Sequence, residues 1–216
     1  MTNYRQHISI TLADEDRDGI AQAQQLGAAG NLTLNGALVS GGSYTAGDSS
    51  FPVGHQVSIY SAGNLSAVTF TVNGTSPDGD ALSEAVTGPN AATVETTNYF
   101  RTVTSVAVGA AIAVDAEVGI VDELATRRIP IGMTSGDFAV GIGVIVGGTI
   151  NFTVQNTYDD IYAASPTISY INISALASKT ANTDSSITAP CTATRLITNS
   201  YNNGATLRFN VLQNYR

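Results

Sequence analysis

Short runs of alternating apolar and polar residues, separated by glycine-containing turns, constrain this chain more than any other feature. Residues 67–72 (AVTFTV) and 81–86 (ALSEAV) are two such runs, and the Asp78-Gly79 turn between them predicts a β-hairpin. Similar turns that contain Gly or Asn-Gly recur at the roughly eight- to twelve-residue spacing typical of a β-sandwich or barrel. Helix formers follow one another only in residues 20–26 (IAQAQQL), where we expect a short helical turn. The pattern therefore predicts an all-β protein.

Two further runs add detail to this prediction. Residues 99–108 (YFRTVTSVAV) alternate with one slip, which predicts a β-bulge. Residues 138–146 and 149–156 flank Gly147-Gly148 and predict a long central hairpin.

The alternating pattern breaks at residues 124–127, which favours two lobes over one larger sandwich. We expect two antiparallel β-sandwich lobes of jelly-roll or immunoglobulin-like type with extended terminal arms. The first lobe would cover residues 1–124, including an N-terminal arm, and the second would cover residues 125–216.

Composition excludes several classes of partner. The 216 residues include 9 Lys and Arg against 17 Asp and Glu, for a net charge of −8. A nucleic-acid binder needs a basic stripe to displace counterions from phosphates, and an anionic membrane surface also attracts cations. We therefore expect neither partner. Residues 138–150 form the longest apolar stretch, which is too short and too rich in glycine to span a bilayer.

The compartment is inferred from the N-terminal segment and from cysteine usage. Residues 1–19 have no apolar region of the kind found in a signal peptide, so we expect a soluble protein made in a reducing compartment. The single cysteine, Cys191, cannot form an intrachain disulfide. It has no neighbouring cation to stabilise a thiolate, and we expect a small buried residue.

An acidic run, Asp14-Glu15-Asp16-Arg17-Asp18-Gly19, matches the opening of an oxygen-rich calcium loop. Asp14, Asp16 and Asp18 are weak candidates for metal ligands. The twelfth position of such a loop should be a bidentate Glu, but Gln25 stands there. The favoured interpretation is an acidic surface turn, so we expect no metal site.

No motif predicts catalysis. His7 and His55 are the two histidines, and the chain contains neither a G-x-S-x-G elbow nor an H-E-x-x-H helix. Glycoside hydrolysis by a pair of carboxylates remains an alternative, but the chain has no Trp whose indole ring could stack on a sugar. We expect a protein without catalytic activity or cofactor.

Two stretches together resemble virion structural proteins of tailed bacteriophages. Residues 58–108 contain SAGN, VTFTVNGT, a D-G turn, LSEAVTGPNA and YFRTVTSV, and are similar to the N-terminal β lobe of that group. Residues 138–160 (FAVGIGVIVGGTINFTVQNTYDD) with residues 188–213 are similar to its C-terminal lobe, where a P-x-T-A-x-R-L strand recurs. The resemblance covers about half of the chain and implies a component of a phage particle.

Physical arguments then favour a capsid decoration, or cement, protein that bridges major capsid subunits, because exposed sheet edges and extended termini can add strands to a neighbouring protein. A homo-oligomer on the outer surface is expected, with a trimer favoured and the host cytoplasm as the site of assembly. The acidic charge disfavours a position facing packaged DNA. Two alternatives stay in the virion: a neck, collar or tail accessory protein, and a fibre-anchoring piece.

Another class of protein also stays open, a carbohydrate-binding host-attachment module. Tyr158, Tyr162 and Tyr170 are its candidate aromatic cluster, although core packing would explain them equally well. A glycan depolymerase is the least favoured reading.

Interface residues are predicted from residue type and position, because aromatic and arginine anchors often dominate protein contacts. The basic doublet Arg127-Arg128 is a candidate for an inter-lobe or inter-subunit contact, and a solvated surface pair explains it at least as well. The termini supply the other candidates, which are Tyr4, Arg5, Arg208 and Tyr215.

Overall fold

The structure is a computed structural model that describes residues 2–47, 51–132, 140–163 and 168–215. Strands contain 63% of the described residues, which confirms the predicted all-β sandwich fold. Within these ranges a 3-10 turn, Ser174–Leu176, is the helical element, and no helix has the length and apolar character needed to cross a membrane. The strands are β1 (Thr2–Thr11), β2 (Asp16–Leu26), β3 (Gly30–Asn31), β4 (Val39–Ser40), β5 (Ser43–Thr45), β6 (Val53–Asn64), β7 (Thr69–Thr75), β8 (Ala81–Thr87), β9 (Asn90–Glu95), β10 (Thr102–Val108), β11 (Ile112–Thr126), β12 (Ile129–Pro130), β13 (Val140–Gly147), β14 (Ile150–Thr157), β15 (Ile171–Asn172), β16 (Thr183–Ile187), β17 (Ala193–Tyr201) and β18 (Thr206–Tyr215).

The chain forms two compact units. The middle unit comprises Asp14–Arg127, and the terminal unit joins the first strand, through Ala13, to the residues from Arg128 onward. This division differs from the predicted lobes, residues 1–124 and 125–216, because the N-terminal strand belongs with the C-terminal half.

Pairing between the two ends of the chain explains the difference. β1 and β18 are antiparallel over ten positions, from Thr2 opposite Tyr215 to Thr11 opposite Thr206. Ile8 and Leu12 are buried, and the amide of Leu12 donates to the carbonyl of Ala205 at 2.9 Å. The termini are therefore paired strands of one sheet, whereas the sequence predicted extended arms.

The terminal unit contains one sheet in the order β1-β18-β13-β16 and a second group in which β14 pairs with β15 and β17, and β17 pairs with β12. The predicted hairpin between residues 138–146 and 149–156 is wrong. β13 pairs with β18 and β16, so it lies in a different sheet from β14. The turn at Gly148, with φ of +86°, leads from one sheet to the other. β13 and β14 thereby each bury their own row of apolar side chains. Phe138, which the prediction included in the first strand, lies outside the described residues.

The middle unit also contains two sheets. The first sheet has the strand order β4-β5-β10-β7-β8, and β3 also pairs with β10. In the second sheet β11 pairs with β2 and with β6, and β6 also pairs with β9. The predicted hairpin is confirmed as β7 and β8, with Gly79 at φ of +92° in its turn. The predicted bulge is confirmed as the register shift between Val103 and Ser105.

Residues 20–26 are not helical. They lie in β2 and pair with β11, and Ile20 and Ala21 are fully buried. Burial of these side chains in the sheet outweighs the helix propensity of the surrounding glutamines and alanines.

Candidate interaction surfaces

The two histidines and the cysteine have different environments. His55 is buried in the middle unit, where its Nδ1 donates to the Val121 carbonyl at 3.3 Å. His7 is exposed in the terminal unit, and its Nδ1 lies 2.6 Å from Asn210 Oδ1. Cys191 is buried, as predicted, and burial raises the pKa of its thiol to about 11. A thiol with that pKa stays protonated near neutral pH and is a poor nucleophile.

Most of the acidic run lies in strand β2. Asp16 begins strand β2, and burial together with a hydrogen bond to Asp18 raises the pKa of the Asp16 carboxyl. Arg17 forms an ion pair with Glu117 at 2.5 Å and lies 4.1 Å from the centre of the Tyr60 ring. Across the described residues, no group of three or more His, Cys, Asp or Glu side chains is placed to hold a metal ion, and Asp14 joins no such group.

Glu123 in the middle unit lies close to the carboxylate of Glu95. Burial and the nearby charge of Glu95 raise the pKa of Glu123. The ionised form of Glu123 is therefore disfavoured in the folded protein. The stability linked to this carboxyl group is fully present below the pKa that it has in the unfolded chain, and it is lost as the pH rises through the higher folded pKa. We expect Glu123→Gln to raise the free energy of unfolding at pH 7 by up to about 0.5 kcal/mol, measured by urea denaturation.

Glu84 provides the matched control, because the same substitution should have the opposite sign there. The Glu84 carboxylate accepts from the backbone amides of Thr97 and Asn98, at 2.6 and 2.9 Å, and from the Asn98 side chain at 2.9 Å. Glu84→Gln should lower the free energy of unfolding by about 1 kcal/mol. A loss of stability in Glu123→Gln would contradict the electrostatic account of Glu123.

The arginine doublet is divided between the two units. Arg127 belongs to the middle unit, where its guanidinium lies 4.9 Å from the centre of the Phe51 ring and its backbone amide donates to Pro52. Arg128 begins the second segment of the terminal unit and is half-buried.

An exposed apolar surface lies on the sheet formed by the chain termini. Ile145 on β13 is 40% exposed and Leu212 on β18 is 48% exposed. Arg208 lies opposite Ile145 in the register, and Leu212 lies opposite Gly141. With Asn210 these side chains line a depression of about 390 Å³. We call Ile145, Arg208, Asn210 and Leu212 the terminal-sheet face.

The other predicted terminal residues occupy strands of the same sheet. Arg5 lies opposite Leu212 in the register, Tyr4 opposite Gln213, and Tyr215 opposite Thr2. The side chains of Tyr4, Arg5 and Tyr215 lie outside what the structure describes. Of the candidates near the two termini, Arg208 is thus the one whose surroundings the structure describes.

Sequence reasoning missed the aliphatic members of this face, although a signal was present. In residues 205–212 (ATLRFNVL), Leu207, Phe209 and Val211 form the buried row. Leu212 belongs to the opposite row and follows polar residues there, so it stands out as an apolar residue on the exposed side.

The three tyrosines have different environments. Tyr158 is 54% exposed and Tyr162 is 81% exposed, so core packing does not account for them. Tyr170 is half-buried beneath the guanidinium of Arg195, 3.4 Å from its ring centre.

Comparisons with known proteins identify no family. No protein-family model matches the chain, and no curated protein matches it. A weak structural neighbour is the major capsid protein P2 from bacteriophage PM2, which is 9% identical, with 98% of each chain covered and a TM-score of 0.21. A likeness at that TM-score supports no inference about this chain. Its class is therefore defined by its own fold, an all-β protein of two sandwich units.

Proposed function

We propose that this chain is a non-enzymatic structural component of a bacteriophage particle, specifically a capsid decoration protein bound to the major capsid protein. The observation that carries the proposal is the terminal-sheet face, where Ile145 and Leu212 are exposed beside Arg208. Exposed aliphatic side chains flanking an arginine have the composition of a protein interface, in which apolar area supplies affinity and the guanidinium supplies specificity.

Charge favours an outer position for this component. The chain carries a net charge of −8, which would be repelled by packaged DNA. No carboxylate is among the described side chains that line the face, so Arg208 offers a cationic contact on an otherwise acidic protein. An acidic and apolar patch on an assembled capsid subunit is the complementary surface. A homotrimer on the shell is the oligomer that we propose.

The test measures binding to particles that lack the protein. Purified wild-type chain is added to such particles, and its ratio to the major capsid protein is measured by quantitative mass spectrometry. A saturating, near-stoichiometric ratio is expected. The double variant Ile145→Ser/Leu212→Ser should bind at least about ten-fold more weakly, because two exposed aliphatic contacts are lost.

Ile171→Ser is the matched control, because Ile171 is an aliphatic residue that is 60% exposed and lies on a short strand of the other sheet in the same unit. It should bind particles like wild type. A small saturating ratio, typical of a symmetric ring, would overturn the decoration role in favour of the neck or tail. Failure of the wild-type chain to bind, or unchanged binding of the double variant, would overturn the proposal.

A further inference from the structure

A second groove, lined by polar and aliphatic side chains, lies in the terminal unit and shares no lining residue with the terminal-sheet face. Its volume is about 260 Å³, somewhat below the roughly 300–1,000 Å³ of pockets for drug-sized ligands. Asn156 on β14, Asn172 on β15 and Ser186 on β16 contribute polar side chains to the lining, and Ile171 and Ile187 contribute aliphatic ones. Tyr158 contributes an exposed aromatic side chain. None of the described residues that line the groove is charged.

Asn156 is the least expected residue in this groove. Along β14 it continues the buried row of Phe152 and Val154, so an amide occupies a position where the pattern calls for an apolar side chain. It is 7% exposed, and its Oδ1 has no hydrogen-bond partner in the part of the chain that the structure describes. A buried, unpaired amide oxygen destabilises the fold, so a ligand that donates a hydrogen bond to it would restore the missing interaction.

Neighbouring hydrogen bonds hold the wall of the groove in place. The amide of Gln155 donates to Asn172 Oδ1 at 2.9 Å, while Gln155 Oε1 accepts from Arg195 Nε at 2.9 Å. Arg195 in turn packs on the ring of Tyr170. This network fixes the position of Asn172, which reduces the entropy lost when a ligand binds.

The backbone on both sides of Tyr158 is also fixed. The hydroxyl of Thr192 is shared between the carbonyl oxygens of Thr157 and Asp159, at 2.9 and 2.8 Å. Tyr158 therefore projects from a restrained segment although its side chain is half exposed.

We propose that this groove binds one ring of an uncharged saccharide. An exposed tyrosine ring can pack on the C–H face of a pyranose, and amide and hydroxyl side chains pair with its hydroxyl groups. The lack of charge in the groove, on a protein with a net charge of −8, selects against acidic sugars. The inference does not depend on the decoration role, because none of its residues belongs to the terminal-sheet face.

The experiment titrates the full-length chain with the methyl glycosides of glucose, galactose and N-acetylglucosamine, followed by ligand-observed and amide NMR. A dissociation constant on the order of 1 mM is expected for at least one of them. Glucuronic acid should bind more weakly than glucose. Tyr158→Ala should weaken binding about ten-fold, and Tyr162→Ala is its matched control, since Tyr162 is 81% exposed and does not line the groove.

Asn156→Leu distinguishes a ligand-binding role from a structural one. Leucine has a similar size and removes the unpaired amide, so the melting temperature should be equal to or higher than that of wild type while saccharide binding is lost. A lower melting temperature with binding retained would show that the amide is structural and would overturn the inference. So would the absence of binding by all three glycosides, equal binding of glucuronic acid, or binding unaffected by Tyr158→Ala. Binding of Ile145→Ser/Leu212→Ser should equal that of wild type, which keeps this test separate from the particle experiment.

Discussion

Replacing Gly74 with alanine is expected to lower the free energy of unfolding by at least about 3 kcal/mol, enough to unfold a marginally stable unit. Gly74 lies on β7 opposite Val103, beside the bulge in β10. A Cβ atom built at Gly74 would overlap the carbonyl oxygen of Thr102, far inside van der Waals contact. β10 is held by β5 on one side and β7 on the other, so the backbone of Thr102 cannot move aside without breaking pairing.

Gly143→Ala is the control for this prediction. Gly143 is also a strand glycine, in β13, but a Cβ atom there would meet nothing within 4 Å. Alanine should change the free energy of unfolding by less than about 1 kcal/mol, with a gain expected because the unfolded chain loses freedom. Urea denaturation followed by circular dichroism measures both variants. A Gly74→Ala protein as stable as Gly143→Ala would show that the close approach in β7 is not a real constraint.

The sequence predicted those features whose partners are close along the chain. β7 and β8 were identifiable because both alternating runs and the Asp78-Gly79 turn lie within about twenty residues. The bulge in β10 was visible as a slip in alternation. Such patterns record which side chains of a strand are buried, and they are sufficient when the neighbouring strand is also the next one in sequence.

Pairings between distant segments could not be predicted in the same way. The pattern of residues 2–11 is equally suited to a free arm and to a paired strand, and its pairing with β18 joins opposite ends of the chain. Alternation in β13 and β14 shows that each strand buries one face, but it does not say which sheet contains the strand. The glycine turn therefore indicated a hairpin where the chain passes between sheets.

The sequence identified single residues of the two candidate surfaces, but not the neighbours that surround them. Arg208 was selected by residue type, and the structure adds the exposed side chains of Ile145 and Leu212 around it. Asn156 stands in a row of apolar residues, which is a signal in the sequence itself. That its Oδ1 is buried and unpaired is a property of the fold, since it depends on strands that approach from residues 171–189.

Acid is expected to destabilise the middle unit through His55. Burial lowers the pKa of His55 to about 4 from its ordinary value of 6.5, because the imidazolium would lose its hydration. The His55 imidazole is therefore protonated below about pH 6.5 in the unfolded chain, but only below about pH 4 in the folded chain. Stability is fully present above pH 6.5 and declines as the pH falls through this window, by about 3 kcal/mol in total.

The measurement is the free energy of unfolding against pH for wild type and for His55→Gln, which removes the titrating group but keeps a side-chain N–H for the Val121 carbonyl. Carboxylates titrate alike in both proteins, so the difference between the two curves isolates His55. Wild type should lose about 3 kcal/mol relative to the variant between pH 6.5 and pH 4. Parallel curves for wild type and His55→Gln would mean that the imidazole is hydrated in the folded protein, and that the core around it is more open than its 2% exposure indicates.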